Sequence, residues 1–287
     1  MRENMIELNH ISKRFGTHPV LTDFSMTVGR GEIVGLLGPN SSGKTTSIRL
    51  INGVMKADAG TITVAGYDPV HDGEAIRRLS GILTETAGFY LNMTGIENLR
   101  FFAEMYGVTE QNRPLELLEE FGLLEAREKK VGTYSTGMKK RLGLAKALLH
   151  RPEILFLDEP TNGLDPEGIR MVIEYITKLN RRDGTTIILC SHLLQQMEEV
   201  CHRYVFLQGG RVIEQGTHAE LEAKYVKEAL LRVQTSAGQT EYKLPGRQAV
   251  PAFLRELTQR EEVYGATLVN QDLESLYFKI RGGAGHE

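Results

Sequence analysis

Glu32-Ile33-Val34-Gly35-Leu36-Leu37 is an unbroken apolar run that ends in Gly38-Pro39-Asn40-Ser41-Ser42-Gly43-Lys44-Thr45. The run reads as a buried strand, and the segment from Lys44 to about Met55 reads as a helix. The loop between them fits the pattern G-x-x-x-x-G-K-S/T. Each element has a chemical reason. A tight loop of backbone N–H groups can wrap a β-phosphate, and glycines permit the conformation and the close approach. The helix beginning at Lys44 aims its positive end at an anion. Lys44 can reach the β- and γ-phosphates, and Thr45 offers a hydroxyl to a magnesium ion. At average residue usage the pattern occurs by chance in roughly one to a few of a hundred chains this long, and its place between strand and helix lowers that further. Gly38, Pro39, Asn40, Ser41, Ser42, Gly43, Lys44, Thr45 and the adjoining Thr46 are therefore the candidate phosphate-binding set.

A second apolar strand, Ile154-Leu155-Phe156-Leu157, ends in Asp158-Glu159. A buried strand delivers such acids to the carboxyl edge of a sheet, where ligands bind in open α/β folds. Asp158 is the candidate magnesium-holding residue. Glu159 is the candidate general base for an attacking water, a role that contributes about 10²–10⁴-fold where it occurs.

Met5 to Leu8 and Phe24 to Val28 alternate as strands, and Gly60 to Gly66 reads as another strand. Thr94-Gly95-Ile96-Glu97 fits a capping box opening a helix through Leu99, Phe102, Ala103 and Tyr106. Pro114 suits the first turn of a further helix with an apolar stripe of Leu115, Leu118 and Phe121. Residues from about 90 to 150 thus read as a helical insertion between strands. Thr185 to Cys190 is another buried run, with a helix over 167 to 181 before it. This rhythm predicts an α/β fold with a mostly parallel sheet. Tyr204 to Leu207, Gln208-Gly209-Gly210 and Arg211 to Ile213 read as a hairpin. The tail from 226 to 287 reads as a small α+β extension, with strands at 230–234, 241–244 and 276–280 and a helix near 250 to 260.

Composition narrows the class. The 287 residues carry a net charge of −3, with 41% hydrophobic and 25% charged residues. That balance offers no footprint for nucleic acid. Two cysteines, Cys190 and Cys201, argue against a disulfide framework and make a reducing cytosol the default. No run of about 18 apolar residues is present to span a bilayer, and the first ten residues lack the apolar core of a secretory signal.

Between the two phosphate-related motifs lies Tyr134-Ser135-Thr136-Gly137-Met138-Lys139-Lys140-Arg141-Leu142. With that stretch in place, residues 5 to 220 resemble the ATP-binding subunits of ABC transporters. Asn162-Gly163-Leu164-Asp165 resembles the family's D-loop, and Ser191-His192 its H-loop. Phe15 stands where the family has an aromatic that stacks on adenine. The resemblance implies a P-loop NTPase core with an N-terminal antiparallel β subdomain, an inserted helical subdomain and the tail as a C-terminal extension, with the ATPase domain over 1–225 and the extension over 226–287. It implies ATP and Mg²⁺ as ligands. It implies that Ser135 and Gly137 bind the γ-phosphate of an ATP held by a second copy or a related cassette, and that His192 contacts the γ-phosphate and orders the water. It also implies an integral-membrane permease as partner, on the cytoplasmic face of a prokaryotic cell membrane.

Three residues depart from the family pattern. Ser41 replaces a glycine, at a cost on the order of 1 kcal/mol if the position needs a positive φ. Glu85 stands where the Q-loop has a glutamine that touches Mg²⁺ and relays to the permease, and Met138 replaces the signature's glutamine. The signature stretch, Thr84-Glu85 and the segment from Asp272 to Phe278 resemble the exporter-type subunits that serve drug, antibiotic or polysaccharide permeases. A slow regulatory cassette within a heterodimer is the alternative that the departures support. A DNA- or ribosome-acting ATPase is the weaker one: no long coiled-coil insertion and no second cassette is present.

Overall fold

A computed structural model describes residues 3–84, 88–191, 193–269 and 271–283. The chain divides into two compact units, one up to Val212 and one from Ile213.

The first unit opens with β1 (Asn4–Phe15) and β2 (His18–Gly29), which pair antiparallel; β3 (Ile33–Leu37) follows. Next come α1 (Lys44–Ile51), β4 (Ala59–Val64), α2 (Gly73–Leu79) and β5 (Ser80–Leu83). β4 pairs antiparallel with β1, so the order β2-β1-β4 is the expected N-terminal antiparallel layer. The helical segment contains α3 (Gly95–Met105), α4 (Arg113–Glu120) and α5 (Thr136–Ala147). Then come β6 (Ile154–Asp158), α6 (Pro166–Asp183), β7 (Thr186–Cys190), α7 (Leu194–Val200), β8 (Arg203–Gln208) and β9 (Arg211–Gly216).

Six strands form the central sheet in the order β5-β6-β7-β3-β8-β9, and the pairs from β5 through β8 are all parallel. Ile33 lies beside Ile187, and Val34 beside Arg203. All five residues of β3 and of β7 are buried, which is why both read as continuous apolar runs. Phe24, Val34, Phe156, Ile188 and Val205 share one core with α1 residues Ile48 and Leu50. Each fully buried side chain of this size contributes about 1.5–3 kcal/mol.

The capping box at α3 forms as expected: Glu97 N–H donates to Thr94 Oγ1 at 3.3 Å and Thr94 N–H donates to Glu97 Oε2 at 2.7 Å. α4 has its proline in the first turn, but Leu117 takes the buried place expected for Leu115. Pro114, Leu117, Leu118 and Phe121 lie at positions i, i+3, i+4 and i+7, a full helical face.

The second unit holds α8 (His218–Tyr225), β10 (Ala229–Thr235), β11 (Gly238–Leu244), α9 (Val250–Leu257), β12 (Val263–Leu268) and α10 (Leu273–Gly283). β10 is the middle strand of an antiparallel sheet ordered β11-β10-β12. The strand expected at 276–280 is instead part of α10. Leu273, Leu276 and Ile280 are buried at spacings of three and four, the period of a helix. The third strand is β12, whose residues from Tyr264 to Thr267 are exposed and show no apolar alternation.

Candidate functional site

Because β3 and β6 run parallel with β7 between them, their carboxyl ends open on the same edge of the sheet. That edge carries residues 38–45 from β3 and residues 158–164 from β6. Local chemistry shapes the first loop. Gly43 has φ +108, and a Cβ there would come 2.5 Å from Leu21 Cδ2 and 3.0 Å from Val20 O. Any side chain there is strained, in its backbone and in its space. Gly43 also caps α1 without a side chain, whereas α3, α5 and α6 are capped by Thr94, Ser135 and Asp165. The first N–H groups of α1 are thus left for another acceptor. Ser41 has φ +65, so the position does take the left-handed backbone that favours glycine. Its hydroxyl donates to Asn40 O. Among the described residues, the buried Ser42 Oγ has no hydrogen-bond partner.

Lys44 Nζ donates to Gly38 O at 2.7 Å and to Pro39 O at 3.0 Å, which holds the ammonium over the loop. Thr45 Oγ1 donates to Asp158 Oδ2 at 2.9 Å. Two hard oxygen groups therefore meet at the loop, a donor set that suits Mg²⁺. Thr46 follows in the first turn of α1. Glu159 stands at φ +51, outside the strand conformation, and its N–H donates to Cys190 O at 2.8 Å. The bend turns its side chain out of the alternation of β6. Burial, and then the charge of Asp158, push the Cys190 thiol well above its usual value, so the floor beneath the acids stays neutral.

Ser135 caps α5, its hydroxyl accepting from Met138 N–H at 3.2 Å. Gly137 faces the turn after β6, where an added Cβ would lie 3.4 Å from Leu164 Cδ2. Asp165 spends its Oδ1 on Gly168 N–H, capping α6 at 2.9 Å. Among the described residues, no hydrogen bond joins Ser135, Gly137 or Asp165 to the loop of Lys44. Phe15 closes β1 with about half of its surface exposed (51%), so it is no core aromatic; Lys13 Nζ sits 5.9 Å from its ring centroid. Glu85 and His192 lie outside the described residues. One residue that sequence reasoning missed is Gln196 of α7, which accepts from the Thr161 hydroxyl at 2.7 Å; a glutamine in a short helix carries no motif that could have flagged it.

The family model described as ABC transporter matches residues 21–162, covering the first loop and reaching into the second. The chain is 42% identical over 212 residues to the ABC transporter ATP-binding protein YdbJ of Bacillus subtilis, covering 74% of this chain and 69% of that one. It belongs to the ATP-binding proteins of ABC transporters. Within that family it is 38% identical over 211 residues to the bacitracin transport ATP-binding protein BcrA of Bacillus licheniformis, covering 74% of this chain and 69% of the relative. A solved ATP-binding subunit of an ABC transporter superposes with a TM-score of 0.72 at 32% identity, covering 77% of this chain and 93% of that one. The fold is thus that of an ABC ATPase cassette, and ATP is the family's nucleotide.

Proposed function

We propose that this ABC cassette hydrolyses MgATP and drives export of a drug- or antibiotic-type solute through a separate permease, by ATP-driven closure of two cassettes. The observation that carries the reading is the Thr45–Asp158 hydrogen bond with Glu159 one residue further on. It joins a phosphate loop, a cation-holding pair and a base at one sheet edge. Bound Mg²⁺ would be held by Thr45 and Asp158 and would supply charge neutralisation on the phosphates. Lys44 moves its charge from the loop carbonyls to the β- and γ-phosphates. Glu159 takes a proton from the attacking water, with His192 as the second group on that water. Phe15 supplies the adenine platform.

Ser135 and Gly137 open α5, whose free N–H groups suit the γ-phosphate of the nucleotide held by a partner cassette. The bacitracin transport relative supports the export reading. The permease contact is the cavity of about 1040 Å³ between β5 and the helical segment, lined by Arg77, Thr84, Met105, Tyr106, Lys146 and His150. Lys146 Nζ lies 4.0 Å from the Phe102 ring centroid, and burial holds its ammonium below the usual lysine range. A hydrogen-bonding or acidic side chain on a permease loop fits that environment. The cassette then works at the cytoplasmic face of the membrane, and no nucleic-acid partner is required. Residues 1–225 serve as the ATPase domain and 226–287 as its extension, a functional boundary that falls 13 residues after the division of the compact units at Val212.

The strained backbone of Ser41 favours a second reading, a slow regulatory cassette paired with a different one. ATP turnover by the purified chain with Mg²⁺ or with a chelator decides. Turnover that needs Mg²⁺ and vanishes in Glu159→Gln supports the first reading; MgATP binding without turnover in the unmodified chain supports the second.

A further inference from the structure

Thr161 sits in the turn leaving β6 with only 2% of its surface exposed. Its hydroxyl donates to Gln196 Oε1 at 2.7 Å, across 35 residues of chain. The segment bearing Gln196 is itself anchored: Leu193 N–H donates to Ser191 Oγ, and Gln196 N–H to Leu193 O, each at 3.1 Å. The turn is closed on itself as well. Asn162 N–H reaches Glu159 O at 3.4 Å and Leu164 N–H reaches Thr161 O at 3.2 Å. Its far side rests on α5. An added Cβ on Gly163 (φ +78) would meet Thr136 Cγ2 at 2.9 Å, and one on Gly137 would meet Leu164 Cδ2 at 3.4 Å. A continuous set of contacts therefore runs from the start of α7, through Gln196 and Thr161, to Glu159 on one side and to the start of α5 on the other.

We propose that Gln196 is a positioning residue: by holding Thr161 it fixes the turn over residues 159–164, and so sets Glu159 and the seat of Ser135 and Gly137 together, without touching nucleotide. A buried hydroxyl needs an acceptor, and a turn this short transmits any shift of Thr161 to both neighbours. The pair thus ties the base of one composite site to the phosphate-contacting helix start of the other. The inference rests on the hydrolytic, paired-cassette reading above.

The test is steady-state ATP turnover of the full chain against MgATP concentration, with fluorescent ATP-analogue binding in parallel. Gln196→Leu, which has similar size and no acceptor, lowers kcat about tenfold while nucleotide affinity stays within about twofold. Gln196→Glu keeps an acceptor and restores kcat to within about threefold of the unmodified chain. Thr161→Val behaves as Gln196→Leu does, Thr161→Ser stays active, and the double variant Thr161→Val, Gln196→Leu is no worse than either single change. If Gln196→Leu does not bind nucleotide, the Gln196→Glu and Thr161→Ser against Thr161→Val comparisons decide alone. Additive losses in the double variant, equal losses in Gln196→Glu and Gln196→Leu, or an unchanged Gln196→Leu each overturn the inference. An inactive unmodified chain overturns the hydrolytic reading itself, a result distinct from an active chain indifferent to residue 196.

Discussion

Thr45 Oγ1 and Asp158 Oδ2 are 2.9 Å apart although 113 residues separate them in the chain. One sits at the start of α1 and the other at the end of β6, so the bond pins the phosphate loop to the acidic strand end. Asp158→Asn keeps the shape and removes the charge. We expect nucleotide binding to survive and its dependence on Mg²⁺ to be lost, measured by titrating a fluorescent ATP analogue with and without chelator. Equal Mg²⁺ dependence in the variant would take the cation away from this pair.

Glu159→Gln retains nucleotide affinity, loses at least about 10²-fold in turnover, and accumulates an ATP-bound dimer. Light scattering after size exclusion, with and without MgATP, reads the association. A variant that binds MgATP and stays monomeric would contradict the shared-site reading of Ser135 and Gly137.

Positions 41 and 43 of the loop respond differently to a methyl group. Gly43→Ala meets Leu21 and Val20 at φ +108 and should cost about 2–4 kcal/mol in denaturant unfolding, from backbone strain plus overpacking. Ser41→Ala keeps a backbone that an L residue already occupies at φ +65 and should stay within about 0.5 kcal/mol. Equal effects at both positions would refute the assignment of the steric demand to Gly43.

Removal of the α3 cap by Thr94→Ala leaves the Glu97 N–H without its acceptor and should cost about 1 kcal/mol. Urea unfolding monitored by circular dichroism gives the number, and an unchanged midpoint would show that the box contributes nothing.

His150 lies against Tyr106, ring centroids 4.5 Å apart, and burial holds its imidazole below the usual histidine value despite the Ser80 carbonyl at 3.1 Å. A depressed folded-state value means the unfolded chain binds the proton more readily. Stability from this group is therefore full above the unfolded value, about 6.5, and is lost as pH falls below it. His150→Gln should flatten the decline of the unfolding midpoint between pH 7 and 5. A variant curve as steep as the parent's would assign that decline to other groups.

The parts legible in the sequence are those where local chemistry dictates geometry. The glycines of the loop, the acids after an apolar strand and the Thr94–Glu97 box each declare themselves within eight residues. Tertiary context hid the others. Leu276 to Ile280 reads as a strand within five residues, while the decisive pattern, burial at 273, 276 and 280, needs a longer window. β12 is exposed along its middle, so no periodicity marks it. The strain at Glu159 and the Thr161–Gln196 bond depend on chain segments that meet only after folding.

The place of β3 also orders events during synthesis. Its two strand neighbours are β7, beginning at Thr186, and β8, beginning at Arg203. A ribosome that has released only the first 150 residues has delivered the whole phosphate loop but neither strand that flanks it. Long-range pairings of this kind close late and slowly. Until they close, the nascent segment from Ile33 to Leu37 is an unpaired apolar strand, a sticky end whose shielding falls to chaperones or to the early hairpin of β1 and β2. Both strands that flank the phosphate loop are therefore available only once residues up to Gln208 have emerged.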